Sequence, residues 1–132
     1  MTAQKMPIVY VAHQLGPDGP QREANRARAS RWEAWIAQTF QVATIASWIT
    51  LSGQWSETQE NRDLGLKIDC RLIEVCGFIF LTGGRVSPGM QIEMEHAIAR
   101  GVRVIDLNWC VEPEDVTPHM RATVRGMLAE AA

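Results

Sequence analysis

The chain has 132 residues, 46% hydrophobic and 21% charged, enough for one ordinary globular domain and too few for two. Thirteen basic residues against fifteen acidic ones leave a formal net charge of -2, so no general electrostatic pull toward a nucleic acid polymer or an anionic membrane is expected. The longest apolar run, Ile8 to Ala12, is far below the roughly 20 residues of a membrane span, and the start carries no signal-peptide pattern; a cytoplasmic protein with a small ligand is the expectation.

In chain order, Pro7 to Ala12 is a continuous apolar, β-branched run before the breaker-rich stretch Leu15 to Pro20, the pattern of a buried strand and its loop. From Gln21 to Phe40 the period turns helical, with Ala29, Trp32, Ile36 and Phe40 on one face and Arg22, Arg26 and Arg28 largely off it. Gln41 to Ala46 reads as a short second strand. Ser47 to Ser56 has no stable period and reads as an irregular loop carrying Trp48 and Trp55. Glu57 to Val75 is helical again, with a stripe through Leu64, Ile68, Leu72, Val75 and Cys76, and Gly77 stops it before the strand Phe78 to Thr82. Ser87 is a natural N-cap and Pro88 a natural first residue for a helix that runs to Arg100 and is capped by Gly101. Val102 to Leu107 gives a fourth strand, and Thr117-Pro118 opens a last helix bearing Met120, Val124, Met127 and Leu128.

Strands and helices alternate, the strands are apolar throughout, and the connections are long enough for right-handed crossovers. The expected fold is therefore α/β: one flavodoxin-like or Rossmann-like three-layer sandwich with a parallel sheet of four or five strands. Ligands of such sheets bind beyond the carboxyl ends of the strands, which directs attention to the loops after Ala12, Ala46, Thr82 and Leu107.

Cys70, Cys76 and Cys110 form no Cys-x-x-Cys pair, and His13, His96 and His119 are dispersed, so neither a disulfide framework nor a metal site is expected, and no cofactor. In the helix after Ser87, Met90, Met94, Ala97 and Ile98 define the apolar stripe, while Glu95 and His96 point away from it. Glu93 lies at the margin of that stripe, one turn above Gly89, whose missing side chain leaves room for a ligand. Asp69 lies at the margin of the preceding helix. Each acid reads either as a solvated helical carboxylate or as half of a pair that shares one cleft, one attacking a sugar carbon and the other serving the leaving group.

The order Ser87-x-Gly-x-x-x-Glu93-x-x-x-Ala97, preceded by the strand Phe78 to Thr82, by Asp69 in the helix before it and by Tyr10 in the first strand, resembles the core of the nucleoside 2-deoxyribosyltransferase superfamily. The resemblance extends to uncharacterised phage and bacterial relatives with a helix of the type Ile68-Asp-x-x-Leu72-Ile-x-x-Cys76. It implies a retaining mechanism, with Glu93 as nucleophile, Tyr10 holding its carboxylate, and Asp69 binding or protonating the departing base. Ser87 is similar to the serine of the nucleotide N-glycosidases; with Arg85 and the amides of the helix start it forms an anion site, or it is simply an N-cap.

Those nucleotide hydrolases carry a Gly/Ser/Arg-rich loop after the first strand, and His13 to Gly19 contains no arginine, so a free nucleoside and a 5′-monophosphate both stay open as substrates. His13, at the end of the first strand, and Trp48, nearer the second strand than Trp55, complete the expected substrate-binding set. The competing class is a nucleotide-binding module without catalysis. A phosphoacceptor receiver needs an acidic pair where His13-Gln14 stands, and is set aside. A homodimer is expected: the cleft of a chain this short is shallow, and the long segment Asn108 to His119, with Trp109, Thr117 and His119, is placed to reach a neighbour's ligand.

Overall fold

Val9, Tyr10, Val11 and Ala12 have no exposed surface, because the strand that carries them has neighbours on both edges and helices on both faces. The computed structural model describes residues 5–130. In chain order it contains β1 (Ile8–His13), α1 (Pro20–Phe40), β2 (Ala43–Ile45), α2 (Trp48–Gln54), α3 (Gln59–Ile73), β3 (Phe78–Thr82), α4 (Pro88–Ala99), β4 (Arg103–Asp106), a 3-10 turn (Pro113–Asp115) and α5 (Pro118–Glu130). The sheet is open, four-stranded and entirely parallel, in the order β2-β1-β3-β4. Register is set by pairs such as Tyr10 with Ile45 and Ile79, and Phe80 with Ile105.

One face of the sheet is covered by α1 through Ala29, Trp32, Ile36 and Phe40. There α5 joins it, the Arg125 guanidinium lying 5.8 Å from the Phe40 ring centre. The other face is covered by α3 and α4, which bury Ile73, Met90 and Ala97. The expected three-layer α/β architecture is thus present, with four strands. No helix of the described residues is long and apolar enough to cross a membrane.

Three local expectations are corrected. Ser47 to Ser56 contains α2 in place of an irregular loop: two turns are too short to show a period, and contacts from α1 hold them. The second strand is only Ala43–Ile45, because Gln41 is the left-handed residue that ends α1 (φ 54°). The buried stripes of α3 and α4 are also turned relative to the expectation. α3 buries Asp69 and Ile73 while Leu64 and Val75 are exposed, and α4 buries Glu93 between Met90 and Ala97 while Ile98 faces solvent. Apolar residues define the widest stripe in the sequence, but the cavity under the sheet edge gives two carboxylates polar company on the inner face.

Gln41 pays a steric penalty in its left-handed conformation that glycine does not. Gln41→Gly is therefore expected to stabilise the fold by about 0.5–1 kcal/mol in urea unfolding; an unchanged or lower midpoint would show that the turn carries no such strain.

Candidate functional site

Tyr10 sits in the middle of β1, and its hydroxyl leaves the sheet on the α3/α4 side to donate to Glu93 Oε2 at 2.5 Å. Glu93 is only 7% exposed and Asp69 only 8%, so neither is the solvated helical acid that spacing alone allows. Asp69 Oδ1 is buried without a hydrogen-bond partner, which leaves an acceptor ready for a ligand donor. Both acids line one cavity of about 660 Å³ at the carboxyl end of the sheet, a size suited to a small molecule.

Burial sets the protonation of the cluster. It pushes the Tyr10 hydroxyl well above 10, helped by the charges of Glu93 and Asp69, so Tyr10 stays a donor. Burial first, and then the Asp69 charge, pushes Glu93 up to about 8, while the Tyr10 hydrogen bond opposes that rise. Burial likewise raises Asp69 to about 6, against the lowering influence of Tyr10 and Glu93. Two carboxyls this close titrate as a pair, and near neutrality the pair retains a proton.

The rest of the cavity divides into an apolar wall, from Trp48, Leu51, Trp55, Leu66 and Ile92, and a charged rim that includes Arg22, Arg62, Arg85 and Glu57. Trp48 is the deeper tryptophan, buried and fixed by its indole N–H to the Val11 carbonyl at 3.0 Å; Trp55 stands half-buried nearer the rim. Gly89 borders the cavity, and a side chain there would meet nothing closer than Ser87 Oγ at 4.0 Å.

Ser87 is the N-cap of α4: its Oγ accepts from the Met90 amide at 3.2 Å. Pro88 has no N–H and the Gln91 amide goes to the Ser87 carbonyl, so the Gly89 amide remains as the donor of this turn. Arg85 is exposed at the rim. His13 also borders the cavity, but both ring nitrogens are engaged: Nδ1 donates to the Gln14 carbonyl at 2.6 Å, and Nε2 accepts from Arg28 at 3.1 Å. Burial, with Arg28 adding to it, holds its pKa down at about 4, so the ring is a neutral structural element. Gly83 permits this arrangement, since a Cβ there would stand 2.6 Å from the imidazole.

Four charged residues escaped the sequence reading. Arg22 lies on the buried stripe of α1, seven residues before Ala29, in correction of its expected place off the stripe. It pairs with Glu57 at 2.6 Å and donates to the carbonyls of Gly16 and Ser52. Arg62 pairs with the same Glu57. Arg26 bonds the Ile49 carbonyl at 2.7 Å and Ser52 Oγ at 3.1 Å, clamping α2 onto α1. The available signal was Arg22 and Asn25 continuing an apolar stripe at i, i+3 and i+7 spacing.

Asn108 to His119 is held against α1 by Trp32, whose indole donates to the Val111 carbonyl, and by Arg31, which pairs with Glu112 at 2.8 Å. Trp109 is 81% exposed, Thr117 and His119 are exposed, and none of the three lines the chain's own cavity. Among the described residues, no three His, Cys, Asp or Glu side chains are grouped to hold a metal ion.

A family model described as a domain of unknown function, DUF7768, matches residues 7–107. The chain belongs to the DUF7768 family. The match includes Tyr10, Asp69, Ser87, Gly89 and Glu93 and stops at the end of the sheet, before the Trp109 segment and α5. No curated protein matches the chain.

The raised Glu93 pKa means that the folded DUF7768 domain binds more protons than the unfolded chain between the ordinary carboxylate range and about 8. Its stability contribution therefore falls as pH rises through that window. Glu93→Gln removes the buried charge: at pH 9 it is expected to melt about 3–5 °C higher than the parent, and at pH 5 about the same. An equal difference at both pH values in thermal scans would show that Glu93 is not held in its acid form.

Proposed function

We propose that this DUF7768 domain cleaves the N-glycosidic bond of a nucleoside or nucleoside 5′-monophosphate through a glutamate nucleophile. The observation that carries the reading is the buried hydrogen bond from Tyr10 to Glu93 Oε2, in a cavity shared with Asp69. One oxygen of Glu93 is fixed by the phenol, so the other is oriented for attack on the anomeric carbon as the base departs. The bond formed is from Glu93 to the sugar carbon, and the bond broken is from that carbon to the base nitrogen. Asp69 meets the base, accepting from its N–H through Oδ1 or delivering a proton to the nitrogen that leaves. Water then attacks the sugar carbon as its bond to Glu93 breaks, the water proton passing to the Asp69 carboxylate and the free sugar leaving; a second base in place of water, giving its N–H proton to Asp69, completes transfer.

The apolar wall of Trp48, Leu51 and Trp55 suits a flat base, and Arg85, exposed at the rim while Arg22 and Arg62 are paired with Glu57, suits the sugar end or its phosphate. The reading places the protein in a reducing cytoplasm, where its three cysteines stay thiols, and includes self-association as a homodimer.

Incubation with a panel of nucleosides and 5′-monophosphates, followed by chromatography, is expected to show free base. Glu93→Gln should lower that rate about 10³-fold or more, whereas Glu95→Gln, at an exposed residue bonded only to Gln91, should leave it unchanged. Because attack needs ionised Glu93, base release should climb as pH rises toward about 8; a fall above that marks Asp69 as the proton donor, and a continued rise marks it as an acceptor only. Binding of a nucleotide without release of base would favour the non-catalytic module and overturn the reading.

A further inference from the structure

Two arginines at the mouth of the cavity converge on one carboxylate of the chain itself. Glu57 lies in the connection between α2 and α3 and borders the cavity together with Arg22 of α1 and Arg62 of α3. Its Oε2 meets Arg22 Nη1 at 2.6 Å and its Oε1 meets Arg62 Nε, so both oxygens are engaged. The same two guanidinium groups donate to the Gly16 carbonyl, each at 3.3 Å. Arg22 Nη2 goes on to the Ser52 carbonyl and its Nε faces Asp18 at 4.0 Å, which leaves no nitrogen of Arg22 for a ligand. The Arg22 side chain is 6% exposed and that of Glu57 20%, whereas Arg62 is half-exposed. A guanidinium as deep as Arg22 needs a counter-ion, and in this chain Glu57 is that ion.

We infer that Glu57 is a specificity-determining residue: an internal anion that withholds Arg22 and Arg62 from the ligand and so reserves this part of the mouth for an uncharged part of the substrate. Guanidinium groups grip carboxylate and phosphate with the same fork of N–H donors, so a ligand phosphate binds here only by displacing Glu57. That exchange is unfavourable on two counts. The carboxylate is tethered between two helices and competes at an effective concentration on the order of millimolar or higher. Its displacement also unfastens the connection from α2 to α3, with Trp55 on it, from α1. Arg85, exposed on the connection from β3 to α4, has no such partner among the described residues, and an anionic end of the substrate is directed to it. This role rests on the proposed reading of the cavity as a nucleoside or nucleotide site, whereas the closure of the two arginines to anions does not depend on base release.

Inorganic phosphate is the probe. Thermal unfolding of the parent, Glu57→Gln, Arg62→Gln and the double variant is followed in chloride and in phosphate at equal ionic strength; general stabilisation by phosphate acts on all four alike, so differences among them report on the rim. Glu57→Gln is expected to melt about 5 °C below the parent in chloride, because Arg22 loses its counter-ion, and to recover most of that loss in phosphate. The double variant should not recover, and Arg62→Gln alone should respond to phosphate as the parent does. In base release, Glu57→Gln should raise kcat/KM for a 5′-monophosphate relative to the nucleoside of the same base about tenfold. If no base is released from any substrate, the melting curves still decide the role of Glu57, so the two readings fail separately. A parent whose phosphate response falls on Arg62→Gln overturns the inference, since the arginines then take the anion with Glu57 in place. So does a folded Glu57→Gln protein that gains nothing from phosphate, or whose gain survives the loss of Arg62. Arg62→Gln keeps the pair of Arg22 with Glu57, and it decides the matter even if Glu57→Gln does not fold.

Discussion

Two carboxylates and a phenol are buried together beneath the carboxyl edge of a parallel sheet, and the neighbouring structure is organised around making that tolerable. An ionised carboxylate taken out of water costs several kcal/mol unless it is neutralised or hydrogen-bonded. Here a proton retained by the pair and the Tyr10 hydroxyl supply the compensation. The geometry needed for this is exacting: β1 must bring Tyr10 up at its centre, α3 must present Asp69, and the first turns of α4 must start where Glu93 can reach down. Gly83 and Gly84, both with positive φ, and the Ser87 cap fix that starting point.

The other side of β1 carries a second polar network with a different purpose. His13 is held neutral between the Gln14 carbonyl and Arg28, and Arg31 pairs with Glu112 while Trp32 bonds Val111. These contacts tie the segment after β4 to α1, so the loop that follows the last strand is anchored away from the acids. His13 therefore borders the cavity as part of its frame, with no free nitrogen to offer, and the polar chemistry of the cavity is concentrated on α3, α4 and the rim.

The fold was legible because parallel strands buried on both faces leave unbroken apolar runs, and Pro7 to Ala12 and Phe78 to Thr82 are such runs. The members of the site were legible as residue types at ordered positions, while their burial was not. On α3 and α4, apolar periodicity pointed to Leu64, Ile68, Met94 and Ile98, and the acids looked marginal; in the folded chain the acids take the inner face. Periodicity measures which face is apolar and equates it with the core, and that equation fails where a helix borders a polar cavity on one side and leaves apolar residues such as Leu64 and Ile98 exposed on the other. Arg22 was hidden for a related reason: an arginine on a stripe is discounted by hydropathy, although a buried guanidinium with Glu57 and two carbonyls is stable. α2 escaped because two turns held by tertiary contacts leave no periodic trace.

The clamp on α2 separates two properties of the cavity. Its acids stand on elements that pack directly against the sheet, whereas the wall bearing Trp48 and Leu51 belongs to a two-turn helix fastened at its carbonyls by Arg22 and Arg26, with Gly53 leaving passage for the Arg26 guanidinium. Substitutions along α2 can therefore enlarge, narrow or reshape the space for a ligand with Tyr10, Asp69 and Glu93 left where they are. The shape of the cavity and the placement of the acid cluster are thus set by separate parts of the chain, the first by these seven residues and the second by β1, α3 and α4.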